Sequence, residues 1–205
     1  MKVSERQLER YPIYLKYLIS IRDSGLATIS SPMIANALTF SEEQVRKDLQ
    51  VVSLNNGKPK TGRDINELIR DIQHFLGYDN AINACIVGVG HLGKALLNYK
   101  GFKDFGLNIV CGFDSDNNVI GQKINGLEIF SIYQLANKIE ELKIEVAILV
   151  TPSNVAQEVT NKLMNAGIKG IWNFVPTHLK VNNDIVVENI NMASSFAILN
   201  HKLKK

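Results

Sequence analysis

The 205-residue sequence predicts an α/β protein: an N-terminal winged helix-turn-helix domain, then a Rossmann domain (a doubly wound parallel sheet), then a terminal helix. Three observations predict it. Gly88, Gly90 and Gly93 stand at G-x-G-x-x-G spacing directly after the apolar run Cys85-Ile86-Val87. From there to Pro176, strand-like and helix-like segments alternate, which means parallel strands joined by crossover helices. Before the glycines, two short helical segments about three residues apart have the dimensions of a helix-turn-helix. The expected divisions are residues 1–79, 80–190 and 191–205.

Residues 12–24 read as a helix opened by Pro12, with Leu15, Leu18 and Ile19 on one face. Ser31 is expected to cap, and Pro32 to start, a second helix carrying Ile34, Ala35 and Leu38. After a break at Thr39-Phe40, Ser41-Glu42-Glu43-Gln44 reads as a capping box ahead of Val45, Leu49 and Val52. On this third helix Gln44, Arg46 and Lys47 lie off the apolar face. They are residue types that reach base edges and phosphates in a major groove, although ordinary solvated helix positions look the same. Asn55-Asn56-Gly57 is a hairpin-type turn, and Lys58-Pro59-Lys60-Thr61-Gly62-Arg63 is a basic loop suited to a wing on the phosphate backbone. Asp64-Ile65-Asn66-Glu67 opens a further helix that Gly77 stops, and residues 78–83 form the expected link.

Charge distribution separates the two parts. The net charge is only +3, yet all six arginines (Arg6, Arg10, Arg22, Arg46, Arg63, Arg70) fall in the first 70 residues. Arginine suits bidentate contact with phosphate and guanine, so the N-terminal part is the candidate for binding double-stranded DNA. The expected contacts are Arg10, Ser31, Gln44, Arg46, Lys47, Lys58, Lys60 and Arg63.

In the second part Gly88 allows a tight turn, Gly90 a close approach to pyrophosphate, and Gly93 close packing of helix on strand. The next strand, Asn108 to Phe113, ends in Asp114, twenty-one residues beyond Gly93. A carboxylate there accepts from an adenosine ribose and repels a 2′-phosphate, which favours NAD+ and NADH over their phosphorylated forms. Further on, Ser131 caps a helix to about Leu142, Glu145 to Val150 is a buried strand, residues 153–165 are a helix stopped by Gly167, and Gly170 to Phe174 is another strand. Ile185 to Glu188 reads as an edge strand, and Met192 to Leu203 as a helix with an apolar stripe. Ligands bind beyond the carboxyl ends of such strands. The expected cofactor site is therefore Gly88, Val89, Gly90, His91, Leu92, Gly93, Asp114, Thr151, Pro152, Ser153, Asn173 and Phe174.

No catalytic group and no metal-ligand spacing emerges. His74, His91, His178 and His201 have no acid-base partner near them in sequence, and about thirty residues after the Rossmann half are too few for a substrate domain. Cys85 and Cys111 fall in the first two Rossmann strands, where a thiol behaves as a small hydrophobe. No apolar segment is long enough for a membrane span and no signal peptide opens the chain, so a cytoplasmic protein is expected. Two other readings remain open: a small NAD-dependent oxidoreductase with an accessory winged helix, and a CoA- or nucleotide-binding module.

Several segments together resemble the Rex family of redox-sensing transcriptional repressors: Ser41 with Gln44-Val45-Arg46-Lys47-Asp48-Leu49, Gly88 to Leu96, Phe113-Asp114-Ser115-Asp116, Ala156-Gln157-Glu158, and Gly167 to Phe174. The resemblance covers nearly the whole chain. It implies a homodimer whose winged helices bind a palindromic operator, whose Rossmann domains bind NAD(H), and whose C-terminal helix is exchanged between subunits, bringing Phe196 to the partner's cofactor site. Release from DNA by NADH is then the expected switch. The chain departs from the family pattern at His91, usually Asn, at Ser53-Leu54-Asn55-Asn56, usually Ser-Tyr-Phe-Gly, and at Asn191, usually Asp.

Overall fold

The computed structural model describes residues 3–53 and 62–204, which fall into two compact units, Met1–Asn80 and Ala81–Lys205.

The first unit opens with α1 (Glu5–Leu8), where Ser4 accepts from the Gln7 amide at 3.3 Å. Next, α2 (Tyr11–Asp23) carries Pro12 in its first turn, where a missing N–H removes nothing from the helix. It buries Tyr11, Tyr14, Leu15 and Leu18. The pair α3 (Ser31–Leu38) and α4 (Glu42–Val52) follows, joined through Thr39 in the left-handed region at φ 59°. Ser30, not Ser31, occupies the N-cap of α3, and Ser31 is its first helical residue. The cap assignment is corrected by one place because Ser30 keeps extended backbone while Ser31 has already turned.

Between the helices, β1 (Thr28–Ile29) pairs antiparallel with β2 (Arg63–Asp64) to make the stem of a small sheet. Gly62, at φ +79°, is needed there, since a Cβ would lie 2.6 Å from the Ile29 carbonyl oxygen. Residues 54–61, with the expected wing cations Lys58 and Lys60, lie outside the described residues. Finally α5 (Ile65–Leu76) is capped by Asp64, whose carboxylate accepts from the Glu67 amide at 2.9 Å, and stopped by left-handed Gly77. Ile34, Val45, Leu49, Ile65 and Ile72 are all fully buried in its core with the two tyrosines. Each such aliphatic side chain contributes roughly 1.5–3 kcal/mol.

The second unit is a seven-stranded sheet with helices on both faces. Its strands are β3 (Ile82–Val87), β4 (Leu107–Asp114), β5 (Lys123–Ile124), β6 (Leu127–Ser131), β7 (Val146–Leu149), β8 (Gly170–Asn173) and β9 (Val186–Asn189), in the order β5-β6-β4-β3-β7-β8-β9. All neighbours are parallel except β5 and β6. That short hairpin has no counterpart among the elements expected from the sequence. Its signal was present in Asn125-Gly126, both at positive φ, as a two-residue hairpin turn requires.

On one face α7 (Leu135–Glu141) and α8 (Ser153–Asn165) pack Leu135, Ile139, Val159 and Leu163 onto Cys85, Val87, Phe113 and Leu149. On the other, α6 (His91–Asn98) and a 3₁₀ segment at 100–105 pack Leu97 and Phe102 onto Ile86, Ile129 and Ile148. The last helix, α9 (Met192–Leu203), has no buried residue. No helix among the described residues is long and apolar enough to cross a membrane.

Candidate cofactor cleft and recognition helix

The carboxyl ends of β3, β4, β6 and β7 surround a cleft of about 690 Å³. Gly88 turns the chain at φ +98°, and a Cβ there would sit 2.8 Å from the Val150 carbonyl oxygen. Gly90 is the N-cap of α6 and has open space where a Cβ would be, so a bulky anion can approach its backbone. Gly93 is buried, and a Cβ on it would collide with the Gly88 carbonyl, so glycine there sets how closely α6 lies on β3. The α6 N-terminus and its dipole thus face an accessible loop, a ready anion site.

Asp114 closes this loop. Its Oδ2 accepts from the Val89 amide at 2.6 Å, and its Oδ1 from the Ser115 and Asp116 amides at 2.7 and 2.9 Å. A carboxylate has about four lone-pair positions, so one on Oδ2 is left for a ribose hydroxyl. The residue therefore has two jobs, bracing the glycine turn and offering a single acceptor to a diol.

Of the expected site residues, Gly88, Val89, Gly90, Asp114, Thr151 and Pro152 line this cleft. The Thr151 hydroxyl is buried with no hydrogen-bond partner among the described residues. Such an atom is costly unless a ligand satisfies it. His91 is the exposed first residue of α6, Leu92 is 42% exposed, and Ser153 opens α8. Asn173 requires correction. It is fully buried, its amide donates to Thr177 O and Asn189 Oδ1, and its Oδ1 accepts from the Val175 amide, so it builds the end of β8 instead of lining the cleft. Phe174 packs on Trp172, ring centroids 5.3 Å apart, in the apolar cluster of the α6 face. Phe196 lies on α9, 65% exposed.

Lys94, Tyr133, Glu158 and Lys162 also line the cleft and were not expected there. Tyr133 is 89% exposed, with the Lys162 ammonium 5.8 Å from its ring centre and paired to Glu158 at 2.8 Å. The lysine holds the Glu158 carboxyl below its ordinary pKa. Tyr133 follows β6, a strand the sequence reading lacked, so its proximity to Asp114 could not be seen. Both cysteines are buried; desolvation raises the Cys111 thiol to about 12 and Cys85 well above its ordinary value.

In the first unit, the Ser41 hydroxyl caps α4 by accepting from the Gln44 amide at 3.2 Å, but the Gln44 side chain does not return to Ser41, so only half of the expected capping box forms. Val45 and Leu49 are buried, while Arg46 and Lys47 are exposed. Lys47 meets Glu43 at 2.7 Å with both side chains about two-thirds exposed, a weak pair that a phosphate can replace. Arg63 is partly buried on β2, and desolvation lowers its pKa.

Arg10 also requires correction as an expected DNA contact. Its Nε and Nη2 donate to the Asp48 carboxylate at 2.6 and 2.8 Å, and its Nη1 donates to Arg6 O at 2.8 Å. Asp48 is itself buried, accepts from Tyr14 Oη at 2.8 Å, and receives the Tyr11 hydroxyl on its backbone carbonyl at 3.0 Å. Burial first, then the carboxylate bond, raises the Tyr14 pKa. Arg10 thus joins α2 to α4 inside the unit, because the one buried carboxylate of α4 demands a cation.

Comparison with known proteins agrees with both halves. Residues 79–177 match the family described as "CoA binding domain", and residues 2–50 match "Putative DNA-binding protein N-terminus". The redox-sensing transcriptional repressor Rex of Treponema denticola is 40% identical over 94% of this chain and 91% of its own. Its counterpart in Bacteroides thetaiotaomicron is 35% identical over 98% and 91%. Among solved structures, the repressor RSP in complex with β-NAD+ and operator DNA superposes with a TM-score of 0.92 at 32% identity, covering 99% of this chain and 93% of RSP. RSP in complex with β-NADH superposes at 0.88.

Proposed function

The chain belongs to the Rex family of redox-sensing transcriptional repressors, and from that premise we propose how its residues carry out repression and release. It is a DNA-binding repressor, not an enzyme, and its ligands are NADH and NAD+. One observation carries the ligand assignment: the glycine turn, the open α6 N-terminus and the single free acceptor of Asp114 converge on one cleft. A pyrophosphate fits the first two and an adenosine ribose the third. That free acceptor is also why a ribose diol is preferred here to the 3′-phosphorylated ribose of CoA.

The DNA contacts are assigned to Gln44, Arg46 and Lys47 of α4, supported by Ser31 at the start of α3 and the basic segment Lys58, Lys60 and Arg63. Thr151, Pro152 and Ser153, at the end of β7, are assigned to the ribose and nicotinamide side of the cofactor. The two cofactor forms share adenosine and pyrophosphate, so discrimination rests on the nicotinamide, cationic in NAD+ and neutral in NADH. If Phe174, which packs on Trp172 outside the cleft lining, and Phe196 from a partner close over the nicotinamide, they impose a desolvation cost on the cation alone. Coupling to DNA then follows by linkage if NADH favours a dimer whose recognition helices no longer match major grooves about 34 Å apart.

A homodimer is proposed because α9 exposes Met192, Phe196, Ile198, Leu199 and Leu203, each at least 52% exposed. Five large apolar side chains on one helix call for a covering surface. Since the protein acts on operator DNA, we place it in the cytoplasm. Fluorescence anisotropy of a labelled palindromic duplex at fixed salt, titrated with NADH, NAD+ and CoA separately, tests the reading. Release by NADH at concentrations where the others have little effect supports it. Indifference to all three, with turnover of a hydroxy acid and NAD+, would favour the oxidoreductase.

A further inference from the structure

The Arg10–Asp48 cluster does more than hold two helices together. Gln44 lies one turn before Asp48 on α4, partly exposed at the helix end that points base-reading residues into a groove. A capping box would send its side chain back to Ser41; instead its amide meets Arg10. With Oε1 turned to the guanidinium, it accepts from Arg10 Nη1 at 3.0 Å and from Arg10 Nε at 3.2 Å. The reverse orientation would set an NH₂ group against N–H donors, and Asp48 fixes the guanidinium so that it cannot turn away. Nη1 supplies the full bond, and Nε, whose single hydrogen already goes to Asp48 at 2.6 Å, stands beside it, so the amide oxygen is held against the guanidinium. What remains of Gln44 for a ligand is two N–H donors on Nε2.

We propose that Gln44 reads the operator as a hydrogen-bond donor only, with Arg10 as its positioning residue, so that it selects guanine and rejects adenine. Glutamine ordinarily pairs with adenine through both amide atoms, the oxygen accepting from N6 and the nitrogen donating to N7. Here the oxygen is spoken for, and adenine N6 would find no acceptor. Guanine presents acceptors at both N7 and O6, which match the two donors left. The proposal deepens the repressor reading and rests on α4 entering the major groove.

The test is competition anisotropy, without cofactor, on a set of palindromic duplexes in which each half-site base pair is replaced in turn by the other three. Wild type, Gln44→Ala and Arg10→Lys are compared. Gln44→Ala should flatten discrimination at one half-site position, where wild type prefers guanine to adenine by about tenfold. Arg10→Lys keeps a cation beside Asp48 but withdraws the planar pair of donors, and should gain tolerance for adenine at that position alone. A merely structural role for Arg10 would lower affinity for every sequence equally. Wild-type preference for adenine at the Gln44-dependent position overturns the donor-only assignment. So does a Gln44→Ala variant that loses affinity uniformly or not at all. Wild type that binds no duplex fails the repressor reading itself and takes the proposal with it. Gln44 is not a core residue, so its comparison stands even if Arg10→Lys folds poorly.

Discussion

Replacing Asp48 by Asn keeps the shape of the side chain and removes the charge at the centre of the first unit. The carboxylate accepts two bonds from Arg10, at 2.6 and 2.8 Å, and one from Tyr14 at 2.8 Å, with only 3% of the side chain exposed. Removing one partner of a buried pair costs about 3–5 kcal/mol, because the other charge is left uncompensated. The Arg10 side chain is 16% exposed and gains some water, which places the loss near the lower end, about 3 kcal/mol. For a unit of this size 1 kcal/mol moves the midpoint by roughly 4–8 °C, so a fall of about 12–24 °C is expected. The chain's single tryptophan, Trp172, lies in the other unit and supplies an internal control. Thermal unfolding followed by far-UV ellipticity should show an early transition in which the fluorescence of Trp172 does not share. A midpoint within about 4 °C of wild type, or a loss seen equally by Trp172, would refute the assignment of Asp48 as the charge that holds α2 on α4.

Asp114→Ala removes the acceptor of three backbone amides as well as the proposed ribose contact, so NADH affinity should fall at least about tenfold while DNA binding persists and no longer responds to NADH, measured by anisotropy. Cys85 and Cys111 should resist a thiol reagent at pH 8 in the native protein and react fully in denaturant, since burial raises both pKa values; rapid native reaction would contradict their place in the core. Leu199→Asp and Phe196→Asp should shift the sedimentation of the protein toward monomer, since both side chains are exposed on α9. His74 Nδ1 meets the Asp79 carboxylate at 2.7 Å, which raises the imidazole pKa above 6.5 and lowers that of Asp79. The histidine's contribution to local stability is fully present below its unfolded value and is lost as pH rises through the raised one. The NMR titration midpoint of His74 should therefore lie above 6.5 and fall back in Asp79→Asn.

What the sequence determined is what depends on near neighbours in the chain. Gly88, Gly90 and Gly93 announce their turn because positive φ, open space and close packing are each demands on a single residue. Ser41 and Asp64 mark helix starts because a cap bonds an amide three residues away. The strands holding Cys85, Cys111 and Ile148 read as buried because both faces of a parallel sheet are covered. Asp114 was legible as a carboxylate beside the glycine turn from its distance beyond Gly93.

The tertiary structure decided what depends on distant residues meeting. Arg10 and Asp48 are thirty-eight positions apart, and no local pattern distinguishes an arginine destined for a buried carboxylate from one left for phosphate. The same holds for Asn173, whose place at the carboxyl end of a parallel strand suggests a ligand contact, whereas Asn189, sixteen residues on, takes up its amide. Tyr133 and Lys162 reach the cleft only because β6 lies beside β4 while α8 follows β7, an order set by strand pairing across the sheet. Local sequence fixes a residue's conformation and burial preference through bonds within a few positions. Which partner satisfies its polar atoms is settled when the chain closes on itself, since a buried donor, acceptor or charge takes whatever the packed neighbour supplies.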